Sequence, residues 1–211
     1  MNTDLLLWAV LVAASYLIGA IPTAHLICRA HGVNIFEVGS GNMGATNVAR
    51  ALNLRWGILV WLLDMSKGIV AIVLARMLLP HDLAAATAAA ALAAIVGHNW
   101  SVFVVRLTGR LRGGKGASIA FAALALIAPH VVLAVSLVGG AILLLTRYVS
   151  LTVLVMLSLA TAWVVVLSSQ HVLAWEYGLY ALLALALMLY RFRENIQRLL
   201  SGTERRLGDR V

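Results

Sequence analysis

Apolar residues run along this chain in long stretches, at roughly 5–27, 55–79, 83–105, 116–129, 130–146, 151–169 and 172–190, separated by short polar segments. A helix needs about 20 apolar residues to cross the hydrocarbon of a bilayer. The pattern therefore predicts seven transmembrane helices in an all-α polytopic membrane protein. Residues 117–146 carry no formal charge, and only Pro129-His130 breaks them. They read as one tilted helix or as two helices turning at the proline. The first stretch is expected to stay as a span, because Asp4 stands where a signal peptide has its basic region and no A-x-A cleavage pattern follows. The alanine-rich run at 84–94 predicts a helix-packing surface, since small side chains let helices approach closely. No internal repeat is evident.

Composition agrees. Of 211 residues, 63% are hydrophobic and 11% charged, and mean hydropathy is +0.97. An aqueous globule of this length lacks the interior to hide so much apolar surface, and disorder is excluded for the same reason. The single cysteine, Cys28, rules out an internal disulfide framework. Net charge is +8, which in a polytopic chain reports orientation rather than nucleic-acid binding. With a turn at Pro129-His130, fourteen of the sixteen Lys/Arg fall on one face, all but Lys67 and Arg76. The opposite loops carry Asp4, Asp82 and Glu176 and no Lys or Arg. Merging the two stretches would send the basic tail across the membrane. Charge parity thus predicts an outer N-terminus and a cytoplasmic C-terminus. The organisation expected is a membrane domain over 1–190, with working loops at 28–54, 106–116 and 147–150, and a basic tail over 191–211.

The polar chemistry gathers on the basic face. Gly39-Ser40-Gly41-Asn42-Met43-Gly44-Ala45-Thr46-Asn47, followed by Arg50, combines three glycines with side-chain donors and a guanidinium. Such backbone forms nests for phosphate oxygens, and an arginine adds a fixed fork. Gly97-His98-Asn99-Trp100 precedes a second cluster, Arg110-Leu111-Arg112-Gly113-Gly114-Lys115-Gly116. From Gly109 this nearly spells a nucleotide-binding loop, but Gly116 stands where Ser or Thr would hold magnesium and no strand is predicted before it. Phosphate binding is retained and nucleotide hydrolysis rejected. Asp64 and Lys67, three apart in the second span, share a helix face and serve either as a structural pair or in catalysis. His25 and His31 receive no role. The tail places Ile196, Leu199 and Leu200 at helical spacing, an amphipathic pattern that leaves Asn195 and Glu204 unexplained.

Together these segments resemble the bacterial membrane-integral acyl-phosphate:glycerol-3-phosphate acyltransferases, the PlsY type. The likeness lies in Gly39–Asn47 with Arg50, Leu63-Asp64-Met65-Ser66-Lys67-Gly68, Gly97–Phe103, Gly113-Gly114-Lys115-Gly116, Arg147-Tyr148-Val149-Ser150-Leu151, Glu194–Leu199 and Gly202-Thr203-Glu204. It runs through nearly the whole chain in order. It implies seven helices in the bacterial inner membrane, with the active site facing the cytoplasm. The implied reaction moves a fatty acyl group from acyl phosphate to the sn-1 hydroxyl of glycerol 3-phosphate, giving lysophosphatidic acid and phosphate for phospholipid synthesis. It assigns Ser40, Asn42, Thr46, Arg50, Lys115, Ser150 and Asn195 to the site. The family commonly has histidine where this chain has Phe192, and Met43 occupies a position often taken by proline.

The chemistry fits these residues. Two phosphate anions must meet at a carbonyl, so Arg50 and Lys115 serve as clamps. Ser40, Gly41, Asn42, Gly44, Thr46 and Asn47 face the acyl phosphate, and Gly113 and Gly114 flank the second cation. Ser150 and Asn195 complete the binding set, with Asp64, Lys67 and Glu204 in support. The base for the hydroxyl is His98, with Asp64 a distant second, or a phosphate oxygen of the substrate, which is favoured. No cofactor or metal is expected. A transporter of a small phosphorylated or organic anion would also show intramembrane charge and a cationic site. The grouping of polar motifs on one face, rather than at the midplane, favours the enzyme.

Overall fold

The computed structural model describes residues 3–209; Arg210 and Val211, the end of the basic tail, lie outside the described residues, as do Met1 and Asn2. Among the described residues the chain is helical without strands: α1 Thr3–Ala20, α2 Thr23–Ala30, α3 Ala45–Ala51, α4 Leu54–Leu78, α5 Leu83–Asn99, α6 Val102–Thr108, α7 Ala117–Ile127, α8 Pro129–Thr146, α9 Val149–Ser169, α10 Trp175–Arg191 and α11 Arg193–Leu200. Five segments are long and apolar enough to cross a membrane: Thr3–Ala30, Leu54–Leu78, Pro80–Thr108, Pro129–Thr146 and Val149–Ser169.

Three interruptions refine the expected spans. The first stretch breaks at Ile21-Pro22 and the third at Trp100-Ser101, so each is two helices. The third interruption falls at Ala128 (φ −141°, ψ 71°), with Pro129 opening α8, where a proline lacking an N–H loses nothing. The fourth expected span is shorter than the sequence pattern suggested: α7 has eleven residues, about 16 Å of rise. The seventeen residues of α10 reach about 25 Å.

The chain divides into two compact units, residues 1–123 and 124–209 with the last two residues grouped with the first. In the first unit α5 packs on α1 and α4, and the alanine-rich run supplies the expected packing surface, with Ala86, Ala90, Ala91 and Ala94 fully buried. The helices meet backbone to backbone: a Cβ on Gly19 would collide with the Ala94 carbonyl oxygen, and one on Gly97 with that of Tyr16. In the second unit α9 packs on α8 and α10.

Helix breaks inside a membrane free carbonyls that must find donors. Lys67 Nζ donates to the Ile21 carbonyl oxygen at 2.7 Å, and Ser101 Oγ to that of Ala20 at 2.5 Å. Tyr16 Oη donates to the Trp100 carbonyl oxygen at 2.8 Å. Buried polar side chains thus repair the broken backbone.

Candidate active site

The glycine-rich segment of the first unit is held by its own asparagine. Asn47, buried in α3, donates Nδ2 to the carbonyls of Ile35 (3.3 Å), Val38 (3.0 Å) and Asn42 (3.1 Å). Its Oδ1 accepts from the Ser40 N–H at 3.1 Å. The Asn47 amide, expected to face substrate, is committed to shaping the loop. Gly39 (φ 61°) and Gly41 (φ 64°) adopt the left-handed conformation that other residues resist. Met43 and Ile35 plug the loop into a small core with Ala24, Cys28, Val48, Val60 and Val104. Gly44 differs: its φ is ordinary (−103°) and a Cβ there would meet nothing. Neither backbone nor packing demands glycine at 44, so its bare backbone faces open space. Ser40 is exposed, and Asn42 and Thr46 are partly so.

Arg50 lies in the last turn of α3. That helix seats on α4 through Gly57, where a Cβ would fall 2.6 Å from Ala49 Cβ and 2.9 Å from the Ala45 carbonyl oxygen. The guanidinium is thereby set by backbone contact rather than by a flexible linker.

The second motif is one folded piece. Gly114 N donates to the His98 carbonyl oxygen at 2.9 Å, and Ser101 N to that of Arg112 at 3.4 Å. A Cβ on Gly113 would collide with the His98 carbonyl oxygen, and one on Gly114 with His98 Nε2. These glycines are required because the loop lies directly on the end of α5, leaving Lys115 partly exposed beside it. Gly113→Ala therefore strikes backbone that cannot turn aside. We expect it to cost at least 1–3 kcal/mol, in the manner of an overpacked core, and to lower turnover at least tenfold. Thermal denaturation and initial rates on the purified variant check both.

Beneath this loop, His98 Nδ1 stands 3.9 Å from Asp64 Oδ1. That oxygen accepts from Lys67 Nζ at 2.6 Å and from Thr23 Oγ1 at 2.6 Å. Lys67 also reaches Thr23 Oγ1 at 3.1 Å. With the Ile21 carbonyl, all three ammonium protons are used. Asp64 and Lys67 are 1% and 4% exposed, so the pair is closed to solvent and tied to the break between α1 and α2. Sequence reading missed Thr23, Ser101 and Asn99. The Asn99 amide is fully buried beside Gly113 and makes no hydrogen bond among the described residues. The signal for Thr23 and Ser101 was Pro22 and the Trp100-Ser101 step, where freed carbonyls require donors.

The second unit holds its own cluster. Glu204, buried, accepts from Ser150 Oγ at 3.0 Å, Asn195 Nδ2 at 2.7 Å and Arg198 Nε at 2.8 Å. The tail docks further through Arg147, whose Nη2 and Nε donate to the Leu207 carbonyl oxygen while the Leu207 N–H returns a bond to the Arg147 carbonyl. Arg147 takes φ 61°, an uncommon conformation for a side-chain-bearing residue, and these contacts hold it there. Phe192 is buried at the joint between α10 and α11.

Burial alone would raise the Glu204 pKa, but hydrogen bonds from Arg198, Asn195 and Ser150, with the Arg198 charge, outweigh it and hold the carboxyl below its ordinary 4.5. A depressed folded pKa means the clasp contributes fully above 4.5 and is lost as pH falls through the lower folded value. Glu204→Gln should cost about 1 kcal/mol or more and remove that acid-side decline. Melting curves from pH 7 to 3 on both proteins check it.

Among the described residues, no group of three or more His, Cys, Asp and Glu gathers as a metal centre would require. What the two motif loops offer is cations beside exposed backbone. The profile of the glycerol-3-phosphate acyltransferase family matches residues 9–202. The chain belongs to the glycerol-3-phosphate acyltransferase family. It is 42% identical over 198 residues to the glycerol-3-phosphate acyltransferase 1 of Deinococcus radiodurans, covering 93% of this chain and 94% of that one. To a glycerol-3-phosphate acyltransferase of Thermus thermophilus it is 41% identical over 204 residues, covering 97% and 96%. The fold is similar to the crystal structure of PlsY, an integral membrane glycerol 3-phosphate acyltransferase, in its glycerol 3-phosphate form. That match has a TM-score of 0.83 and 35% identity, covering 95% of this chain and 96% of that one. The lysophosphatidic acid form of PlsY matches with a TM-score of 0.82 and 35% identity, covering 95% of each. The acyltransferase family and the motif loops thus coincide along almost the entire chain.

Proposed function

We propose that this protein is a glycerol-3-phosphate acyltransferase of phospholipid synthesis that takes its acyl group from an acyl phosphate. The observation that carries the reading is the likeness, over 95% of the chain, to PlsY in its glycerol 3-phosphate and lysophosphatidic acid forms. The sn-1 hydroxyl attacks the carbonyl carbon, the bond to the phosphate oxygen breaks, and lysophosphatidic acid and inorganic phosphate leave. Phosphate departs readily, so a strong protein acid is unnecessary. A phosphate oxygen of the substrate takes the hydroxyl proton. This leaves Phe192, which can neither donate nor carry a proton, outside the chemistry. Arg50 and Lys115 offset the repulsion between the two phosphates. Ser40, Gly41, Asn42, Gly44 and Thr46 face the acyl phosphate, and Gly113 and Gly114 bring bare backbone beside Lys115. His98 acts as a positioning residue under Gly114, with Asp64 and Lys67 behind it. In the second unit Ser150 and Asn195 take a substrate-binding role, held by Glu204.

The protein is placed in the bacterial inner membrane with seven spans, an outer N-terminus and the motif loops facing the cytoplasm. The Lys/Arg distribution supports this orientation. The division into a membrane domain over 1–190 and a tail over 191–211 belongs to the same proposal. The transporter reading finds no support among the relatives.

The test uses purified protein in detergent with radiolabelled glycerol 3-phosphate and palmitoyl phosphate. Lysophosphatidic acid and free phosphate should form in equal amounts. Accumulation of label in vesicles without product would overturn the proposal in favour of transport.

A further inference from the structure

The first unit holds a pocket of about 420 Å³ that includes none of the motif residues above. Its walls are the last turns of two membrane-length segments, with His25 and Arg29 on α2 and Leu107 and Thr108 on α6, closed by Asn34 and Phe36 of the loop between α2 and α3. Both segments end here, so the pocket lies at the depth of lipid head groups rather than of acyl chains.

Both ring nitrogens of His25 are buried and make no hydrogen bond among the described residues. A buried imidazole without partners in a pocket this size calls for a ligand with hydrogen-bonding oxygens. The cations are in place: Arg29 is exposed on the wall, Arg110 N donates to Thr108 Oγ1, and the Arg112 guanidinium lies 4.2 Å over the Phe36 ring. One acidic group is adjacent, Glu37, and its carboxylate is engaged by Asn34 Nδ2. The carbonyl ends of α2 and α6 disfavour an anion slightly. Three arginines outweigh that, while half-exposed Leu107 and Phe36 supply an apolar flank. An anionic head with an apolar continuation matches this lining.

We infer that this pocket binds a phosphate-bearing anion, distinct from the two substrates of the transfer reaction, at the membrane surface. The occupant reaches the catalytic loop through one side chain. Phe36 stacks on His25, with ring centroids 5.3 Å apart, and carries Arg112, the residue before Gly113-Gly114-Lys115. The inference goes beyond the acyltransferase reading and does not depend on which acyl donor is used.

Two arms identify the source of the phosphate. In the first, delipidated enzyme in detergent is offered phosphatidylglycerol and phosphatidylcholine together, and retained lipid is weighed by native mass spectrometry. Wild type should prefer phosphatidylglycerol at least tenfold, and Arg29→Glu and His25→Gln should each lose that preference while keeping transfer activity within about twofold. In the second, inorganic phosphate binding is measured by equilibrium dialysis on the same proteins. One equivalent lost in both variants, without any lipid preference in wild type, assigns the pocket to soluble phosphate. If wild type shows no lipid preference and both variants bind as much phosphate as wild type, or if the variants keep the lipid preference, the inference is wrong. The lipid preference of unmutated enzyme keeps the test decisive even if a variant folds poorly.

Discussion

Lys115→Ala is expected to lower kcat/KM for glycerol 3-phosphate by about 10²- to 10³-fold, the usual effect of removing one donor from a site of developing charge. Its melting temperature should stay within about 2 °C of wild type. The two halves of this expectation have separate causes. Lys115 is partly exposed, and the contacts that shape its loop run through the backbones of Gly114, His98, Arg112 and Ser101 rather than through the ammonium group. Truncation leaves that backbone intact and removes one positive charge from beside two phosphates. Initial rates over a range of glycerol 3-phosphate, with a melting curve on the same preparation, separate the effects. A variant that melts normally and turns over normally would take Lys115 out of the site.

Lys67→Met should do the reverse. Its ammonium bonds the Asp64 carboxylate, the Thr23 hydroxyl and the Ile21 carbonyl, and methionine fills similar volume with none of these donors. An unpaired buried carboxylate costs about 3–5 kcal/mol, so the variant should express poorly and melt far below wild type. Adding Asp64→Asn removes the orphaned charge and should recover a good part of the loss. That recovery is what distinguishes a structural pair from a catalytic one, since a catalytic lysine would leave the melting curve alone and its second variant would restore nothing.

How far the sequence reads ahead depends on whether a feature is local. The helices follow from apolar run length, and the stop at Ile127 from Pro129. The breaks at Ile21-Pro22 and Trp100-Ser101 were missed because hydropathy continues across them. A backbone turn changes dihedral angles without changing polarity. The short reach of α7 escaped for a related reason: its apolar run continues into Ala128 and Pro129, while the glycines at 113–116 hold the chain against His98 before the helix begins. Residue types pointed to phosphate chemistry in both motif loops. They did not distinguish the residue that shapes a loop from the residue that faces outward. Asn47 and Thr46 are neighbours of similar polarity, yet Asn47 is consumed by three carbonyls at positions 35, 38 and 42. The role of Asp64 and Lys67 stayed open because their partners, Ile21 and Thr23, lie more than forty residues away. The leftover Asn195 and Glu204 of the tail found their explanation the same way, in Ser150, 54 residues back from Glu204.

The central claim is that Arg50 and Lys115 act on the phosphates together. The most direct measurement is a double-mutant cycle in kcat/KM for glycerol 3-phosphate with Arg50→Ala, Lys115→Ala and the pair. If the two cations share the same charge-stabilising task, the double variant should lose less than the product of the single losses, with a coupling of about 1 kcal/mol or more. Losses that multiply within error would mean that the two residues work independently, and would contradict the account.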